Sequence, residues 1–192
     1  MKAAGTGHRP NKLGKEYSMD GPISNQIVLW IAGLFREERP EMVYTGMALG
    51  FDIILAKVCV AFQIPFTAAL PFVGQDARWP LFTQALYKAL LRNATAIYVV
   101  DRKEYLTFDQ WEEARDLFVD EPRAGKKMQV RNIWMVDQLG EEDWLLSVFD
   151  GSPGGTKNCL DYAKAKGKNI LYFESPEWLR ALTLRIVEQK LN

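Results

Sequence analysis

The sequence predicts an α/β fold, in which a mostly parallel sheet of about six strands is covered by helices on both faces. Short apolar runs of strand length alternate along the chain with longer segments whose apolar residues recur at helical spacing. Alternation of this kind is typical of parallel strands joined by right-handed helical crossovers. The 192 residues contain no internal repeat, low-complexity segment or linker, so we expect one domain over residues 1–192.

Six apolar runs have the length and composition of buried strands. The run at 66–70 is ended by Pro71, and the run at 144–149 stops abruptly at Asp150. Short continuous apolar runs suit a parallel sheet that is buried on both faces. The predicted strands are 3–6, 42–45, 66–70, 94–100, 144–149 and 169–173.

Helical periodicity occupies the segments between these strands. Residues 23–38 carry an apolar stripe, with Asp20 or Ser24 as the expected N-cap. Residues 51–62 are almost entirely apolar, which predicts a heavily buried helix. The predicted helices are 23–38, 51–62, 81–92, 128–139, 156–166 and 176–191.

Residues 101–127 differ from the rest of the chain, because they are polar, charged and rich in aromatic side chains. We expect a connecting excursion with some helix at 108–119. Two interpretations stay open for it: a second contact surface or lid, and an extra packing layer.

The charge balance argues against a general nucleic-acid binder. Lys and Arg number 24 and Asp and Glu number 24, so the formal net charge is zero. Proteins that bind nucleic acid without sequence preference usually carry a basic surplus. Nucleic acid is therefore not an expected partner.

Cysteine, histidine and hydropathy restrict the remaining classes. The two cysteines, Cys59 and Cys159, fall within predicted helices, and with His8 as the single histidine they cannot form a usual zinc site. No metal site and no disulfide framework are therefore predicted. The chain shows no signal peptide and no apolar run that could span a bilayer, so we expect a cytoplasmic protein without a membrane partner.

The loop that follows the run at 144–149 is the most informative segment. Small residues and one proline separate a buried strand from a helical pattern there. Glycines allow the backbone to approach a ligand, and free amides at a helix start attract an anion. Thr156 suits either a helix N-cap or a phosphate ligand. The candidate ligand-binding residues of this loop are Asp150, Gly151, Ser152, Gly154, Gly155 and Thr156.

The loop after the first predicted strand combines glycines with donors. Its candidate ligand-binding residues are Gly5, Thr6, Gly7, His8, Arg9 and Lys12. The imidazole, guanidinium and ammonium groups suit phosphate or ribose oxygens. The alternative is a surface loop whose basic side chains are merely solvated.

The loop after the second predicted strand also leads into a helix, and its amides are expected to be free for an anion. Its candidate residues are Thr45, Gly46, Met47, Ala48, Gly50 and Asp52. Asp52 lies in the first helical turn, where capping explains it fully. A contact to a ribose hydroxyl is the alternative, by analogy with acidic residues in dinucleotide sites.

The loop at 71–80 offers aromatic and hydrogen-bonding side chains. Phe72 or Trp79 suits stacking on a base, and Gln75 or Arg78 suits hydrogen bonds to it. The alternative is that the aromatic side chains anchor the core.

Three motifs in this order resemble the YpsA/YoqJ branch of the SLOG superfamily: residues 6–10 (Thr-Gly-His-Arg-Pro), 46–52 (Gly-Met-Ala-Leu-Gly-Phe-Asp) and 150–156 (Asp-Gly-Ser-Pro-Gly-Gly-Thr). Arg131-Asn132 is also similar to that branch. The resemblance implies a Rossmann-like fold in which 46–50 and 154–156 are paired nucleotide-binding loops. It also implies a link to Gram-positive bacteria and their phages, so a phage-encoded protein is expected.

The resemblance leaves three functions open. The superfamily includes sensors of nucleotide-derived signals, LOG-type enzymes that release the base of a nucleoside monophosphate, and the DprA group that binds single-stranded DNA. LOG-type enzymes carry the pattern P-G-G-x-G-T-x-x-E, whereas Lys157, Asn158 and Cys159 follow Thr156 here and the first acidic residue is Asp161. An aspartate at that position lies on a different part of the helix.

We therefore expect a protein that senses or sequesters a small phosphorylated nucleotide or an NAD-derived ligand. An N-glycosidase would need Asp52, Asp150 or Asp161 in a new role, so no catalytic residue is predicted. No cofactor is required, although Mg²⁺ suits a polyphosphate. Relatives of this kind commonly assemble through their helices, so we expect a homodimer or a larger assembly.

Overall fold

A computed structural model describes residues 1–13, 19–176 and 178 of the chain. Within these residues, seven strands form one sheet in the order β5-β4-β3-β2-β1-β6-β7. All neighbouring strands are parallel except β5, which runs antiparallel to β4. The strands are β1 (Lys2–Gly7), β2 (Met42–Thr45), β3 (Phe66–Leu70), β4 (Ala96–Val99), β5 (Glu104–Leu106), β6 (Trp144–Val148) and β7 (Asn169–Tyr172).

Helices cover both faces of the sheet. One buried cluster joins the sheet to α1, α2 and α3, and a second cluster joins its other face to α5 and α6. The helices of the described part are α1 (Pro22–Glu37), α2 (Phe51–Ala61), α3 (Leu81–Arg92), α4 (Phe108–Asp116), α5 (Ala124–Asp137) and α6 (Gly155–Ala165). The predicted α/β, Rossmann-like architecture is confirmed. The helix predicted at 176–191 lies outside the described residues apart from its first positions.

Strand β5 was not predicted from the sequence. It is three residues long, lies at the edge of the sheet, and its central Tyr105 is exposed, so no alternation of buried and exposed residues marks it. Lys103 precedes it with a φ of 56°, in the left-handed region that permits the chain to reverse.

Two helix starts also differ from the predictions. Gly21 is the N-cap of α1, without a side-chain hydrogen bond, so neither Asp20 nor Ser24 caps it. Pro22 supplies the start instead, because its ring fixes a helical φ and its missing N–H needs no acceptor there. Helix α5 begins at Ala124, four residues before the predicted start at 128. The prediction placed the start too late because the first turn is polar and shows no apolar periodicity.

Helix α2 packs closely on β1 because two residues of that strand are glycines. A Cβ at Gly5 would overlap the Leu55 side chain, and a Cβ at Gly7 would lie 2.5 Å from Phe51 Cβ. Phe51 and Leu55 are fully buried. The glycine at position 5 is therefore explained by packing between strand and helix.

The excursion packs over the loop that follows β3. Trp111 of α4 is buried and donates from its ring nitrogen to the Val73 carbonyl at 3.1 Å. Phe118 stacks on Phe72, with ring centroids 5.8 Å apart, and covers Gly74. These contacts support the interpretation of residues 108–118 as an extra packing layer.

The sheet order creates a switch point between β1 and β6. From β1 the chain builds outward through β2, β3 and β4, and later returns to the other side of β1 as β6 and β7. The connections therefore leave the carboxyl ends of β1 and β6 in opposite directions, which opens a crevice between them. No helix in the described part of the chain is long and apolar enough to cross a membrane.

The Gly33→Ala substitution is expected to stabilise the protein by about 0.5–1 kcal/mol, because alanine is the better helix former. Gly33 lies inside α1 without a positive φ, and a Cβ there meets no heavy atom within 4 Å. Urea unfolding followed by circular dichroism measures the change. The matched substitution Gly7→Ala should instead destabilise the protein, by about 1–3 kcal/mol, because its Cβ would overlap Phe51. Equal effects of the two substitutions would contradict this account of the glycines.

Candidate functional site

A cavity of about 510 Å³ occupies the crevice at the carboxyl ends of β1 and β6. The loop after β1, the first turn of α2, the loop between β6 and α6, and one face of α5 form its walls. The lining residues that the sequence predicted are Thr6, Gly7, His8, Arg9, Lys12, Ala48, Asp52, Ser152, Gly154, Gly155 and Thr156.

The N-terminus of α6 opens into this cavity. Gly154 is the N-cap with a φ of 146°, and no side chain caps the helix. Gly154 and Gly155 would meet no heavy atom within 4 Å if they carried a Cβ, so open space lies in front of this turn. The Thr156 hydroxyl donates to the Gly7 carbonyl at 3.2 Å, so it ties α6 to β1 and does not act as an N-cap. Backbone amides at such a helix start can bind an anion.

Asp150 does not line the cavity, but it contacts three side chains or amides of residues that do. Its carboxylate accepts from Lys12 Nζ at 2.9 Å and from the Ser152 amide at 3.0 Å, and it lies 2.8 Å from His8 Nε2. The Asp150 amide donates to the same imidazole nitrogen at 2.9 Å. Burial alone would raise the pKa of Asp150, but the bonds from Ser152 and Lys12 hold the pKa well below its ordinary value. Asp150 therefore stays ionised and holds His8, Lys12 and Ser152 in position.

Two guanidinium groups share one carboxylate at the base of the cavity. Arg131 of α5 is 4% exposed, donates to the Gly46 carbonyl, and places Nη1 3.4 Å from Asp52 Oδ2. The Arg131 Nε atom is buried and has no acceptor among the described residues. Arg9 is half-buried beside this pair and donates to Met128 Sδ at 3.7 Å.

The pKa shifts follow from this crowding. Burial raises the pKa of Asp52, and the charges of Arg131 and Arg9 oppose the rise. Burial also lowers the pKa of Arg9, with Asp52 opposing and Arg131 reinforcing the shift. Both directions reflect charges that have been removed from water with incomplete compensation.

Several amides of the loop after β2 are bonded within the protein, whereas the sequence predicted free amides there. The Ala48 amide donates to Asp52 Oδ2 at 3.3 Å, the Gly50 amide to Met19 Sδ at 3.3 Å, and the Phe51 amide to the His8 carbonyl at 3.1 Å. The loop instead closes on itself and on β1. Asp52 thus accepts from the backbone of the preceding loop and also lines the cavity, but it does not cap α2.

The glycines of this loop have packing roles. A Cβ at Gly46 would overlap the Arg131 guanidinium, and a Cβ at Gly50, whose φ is 99°, would overlap the His8 carbonyl oxygen. The Thr45 hydroxyl donates to the Asp52 carbonyl at 2.9 Å and accepts from the Met47 amide at 3.3 Å.

The loop at 71–80 is directed away from the cavity. Phe72 stacks beneath Phe118, and Trp79 packs edge-on against Tyr87 with ring centroids 5.2 Å apart. The Gln75 side chain donates to the Gly46 and Met47 carbonyls and to the Tyr87 hydroxyl. Phe72 and Trp79 therefore anchor the core, which was the alternative to stacking on a base. The predicted ligand-binding residues that do not line the cavity are Gly5, Thr45, Gly46, Met47, Gly50, Phe72, Gln75, Trp79, Asp150 and Gly151.

The wall that α5 contributes was not predicted from the sequence. The additional lining residues are Asn11, Gly125, Met128, Gln129, Arg131, Asn132, Pro153 and Asn158. Among the α5 residues, Arg131 and Asn132 carried a signal, through the family resemblance. The spacing of Gly125, Met128, Gln129 and Asn132 marks one helical face, but without a strand end beside it this spacing does not indicate a site.

These features define an α/β protein of the Rossmann-like class with a cationic cavity at the switch point of its sheet. Comparison with known proteins agrees with this class, although no family model matches the chain. The structure resembles that of DNA processing protein A (DprA) from Streptococcus pneumoniae, with a TM-score of 0.56 at 12% identity over 98% of this chain. The chain spans 56% of the length of that structure, and the likeness shows the shared fold.

A sequence relative identifies the family. The chain is 32% identical over 152 residues to YoqJ of Bacillus subtilis (strain 168), described as an uncharacterized SPbeta prophage-derived protein. The match covers 74% of this chain and 80% of that relative. The chain therefore belongs to the YoqJ family, as the resemblance of its three motifs to the YpsA/YoqJ branch predicted.

The Asp150→Asn substitution is expected to lower the free energy of unfolding at pH 7 by about 1–3 kcal/mol, because it removes a carboxylate that several donors share. The folded-state pKa of Asp150 lies below the unfolded value of about 4, so this stabilisation is present above pH 4 and is lost as the pH falls further. The difference between the wild type and the Asn variant should therefore narrow below pH 4. Urea unfolding between pH 7 and pH 2.5 measures it; a constant difference across that range would refute the role of the ionised carboxylate.

Proposed function

We propose that this protein binds a nucleotide or an NAD-derived phosphorylated ligand in the cavity at the switch point. The observation that carries the proposal is Arg131, which lines the cavity while its buried Nε lacks an acceptor in the described part of the chain. A buried donor without a partner costs about 1–3 kcal/mol. A bound anion beside the guanidinium would add negative charge to that which Asp52 supplies.

The charges around the cavity support the same conclusion. Arg9, Lys12 and Arg131 line it, whereas Asp52 is the carboxylate of the described residues that does so. Asp150 balances Lys12 from behind. The buried guanidinium of Arg131 and the half-buried guanidinium of Arg9 then share Asp52, and this local excess of positive charge favours an anion.

The open turn of α6 supplies a second group of donors. Gly154 and Gly155 leave the start of the helix uncovered, and the amides there add the positive end of the helix dipole to the nearby cations. A phosphate at this turn would lie beside the His8, Lys12 and Ser152 side chains that Asp150 positions.

The size of the cavity fits a small molecule. Its volume of about 510 Å³ falls within the range of about 300–1,000 Å³ that small-molecule sites occupy. In the proposed function the protein senses or sequesters its ligand as a homodimer or larger assembly. The ligand is held without a resident metal, and Mg²⁺ accompanies it only if it is a polyphosphate.

One observation favours a second candidate, a nucleotide N-glycosidase. Asp52 lines the cavity, and burial raises the pKa of its carboxyl group, as for a group that donates a proton to a leaving base. The two other carboxyl groups considered for this role are less suited. Asp150 is held ionised by its donors, and Asp161 pairs with Lys157 on the exposed side of α6.

The Gly155→Asp substitution is expected to weaken nucleotide binding at least 100-fold, because a carboxylate would occupy the place of the anion. The fold should be unaffected, since a Cβ at position 155 meets no heavy atom within 4 Å and acidic residues suit the first turn of a helix. Isothermal titration calorimetry with AMP, ADP-ribose and NAD measures the affinity, and thermal unfolding checks the fold.

The Gly155→Asn substitution is the matched control, because asparagine has the size of aspartate without its charge. It should weaken binding clearly less than Gly155→Asp. If the wild type binds none of the three probes, or if both variants bind as the wild type does, the proposed site is refuted.

The glycosidase candidate predicts that the protein releases a free base from AMP or NAD and that Asp52→Asn lowers the rate at least 100-fold. Chromatography after prolonged incubation separates the base from the intact ligand. Asp161→Asn is the control, because Asp161 lies outside the cavity and should leave the rate unchanged. Recovery of intact ligand would exclude the reaction and favour sensing or sequestration.

A further inference from the structure

One face of α5 lines the outer part of the cavity. Gly125, Met128, Gln129 and Asn132 follow the spacing i, i+3, i+4, i+7, which places them on a single helical stripe. All four border the cavity, whereas the neighbouring Val130 is 52% exposed and does not. We define these four residues as the α5 stripe.

The α5 stripe starts at the anion-binding turn and extends away from it. The Asn132 side chain donates to the Gly155 carbonyl at 3.3 Å, so this end of the stripe adjoins the start of α6. Gly125 lies seven residues earlier, about 10 Å along the helix axis at ~1.5 Å per residue. A ligand whose phosphate lies at Gly155 would therefore place its opposite end against the first half of α5.

The chemistry of the stripe changes along its length. The side chains of its outer half, Gly125, Met128 and Gln129, carry no charge, and the Arg9 guanidinium lies against Met128. The inner end, Asn132, adjoins the α6 turn. The charged Lys127 points elsewhere, since it pairs with Asp101 at 2.6 Å and with Glu121. The outer half therefore suits a neutral part of a ligand.

Two side chains in the outer half of the stripe, Met128 and Gln129, are suited to bind a planar heterocycle. Met128 is half-buried, and the Arg9 guanidinium contacts its sulfur at 3.7 Å, which keeps the thioether at the cavity wall. A thioether packs favourably against an aromatic ring. Gln129 is exposed at the rim, and its amide supplies both donors and an acceptor for the edge of such a ring. Gly125 leaves open space beside them.

We infer that the α5 stripe is the surface that recognises the base of the ligand, with Met128 against its face and Gln129 at its edge. The inference rests on the proposed function and extends it, because it requires a nucleotide and assigns selectivity among bases to Gln129. It also gives α5 the role that the sequence assigned to Phe72 and Trp79, whose rings are engaged in the core.

The test compares AMP, GMP, CMP and UMP with ribose 5-phosphate, which has the phosphate and sugar but no base. The wild type should bind at least one of the four nucleotides ten or more times more tightly than ribose 5-phosphate. Met128→Ala should weaken that nucleotide about tenfold and leave ribose 5-phosphate unchanged. Gln129→Leu should reduce or reorder the preference among the four bases.

Val130→Leu is the matched control, because Val130 lies on the same helix outside the stripe. It should change neither affinity nor selectivity, and circular dichroism checks that every variant folds. Gly125→Leu gives a second, steric measurement, since its side chain would fill the outer cavity while a Cβ there meets no heavy atom within 4 Å. It should weaken the nucleotide more than ribose 5-phosphate.

The outcomes separate the two proposals. Equal binding of ribose 5-phosphate and every nucleotide by the wild type would overturn the role of the α5 stripe while leaving a phosphate site in place. Selectivity that survives both Gln129→Leu and Met128→Ala would overturn it as well. Failure of all five ligands to bind would overturn the role of the α5 stripe, and failure of ADP-ribose and NAD to bind as well would overturn the proposed function itself.

Discussion

The buried guanidinium of Arg131 is the interaction on which the arrangement of the site depends. It links α5 to the loop after β2 through the Gly46 carbonyl and to the first turn of α2 through Asp52. Position 46 must be a glycine because a Cβ would overlap the guanidinium. A buried arginine with one carboxylate is stable only where geometry and further partners compensate its lost hydration. Arg131 and the start of α6 line the same cavity, and the buried Arg131 Nε has no acceptor among the described residues.

The sequence was sufficient to predict six of the seven described strands and the two loops, after β1 and after β6, that contribute most of the predicted cavity lining. Strand and helix periods differ enough to reveal the alternation, and glycines beside Asp150 and Thr156 mark a turn into a helix with little ambiguity. The loop of His8 and Arg9 was predicted for the same reason, since it follows a buried strand. Each of these features depends on residues that are close together in the sequence, so it can be recognised without knowledge of the fold.

The remaining features depend on contacts between distant segments. In the sequence, Gly5 and Gly46 lie near the end of a predicted strand or after it, as Gly155 does, so all three suit a ligand-binding loop. In the structure, however, Gly5 makes room for Leu55, 50 residues away, and Gly46 makes room for Arg131, 85 residues away. Phe72 and Trp79 suit a base equally well until Phe118 and Tyr87 are known to cover them. The wall formed by α5 was missed because its residues follow an excursion with weak periodicity.

The two sides of the cavity belong to different halves of the sheet. In the described structure, side-chain bonds join them around the cavity, among them Lys12 to Asp150, Asn132 to the Gly155 carbonyl and Thr156 to the Gly7 carbonyl. A molecule held between α5, the β1 loop and α6 would act as a cross-brace between those halves. Its arrival would then stiffen the whole domain, so that occupancy could be read at surfaces far from the cavity through slower local opening.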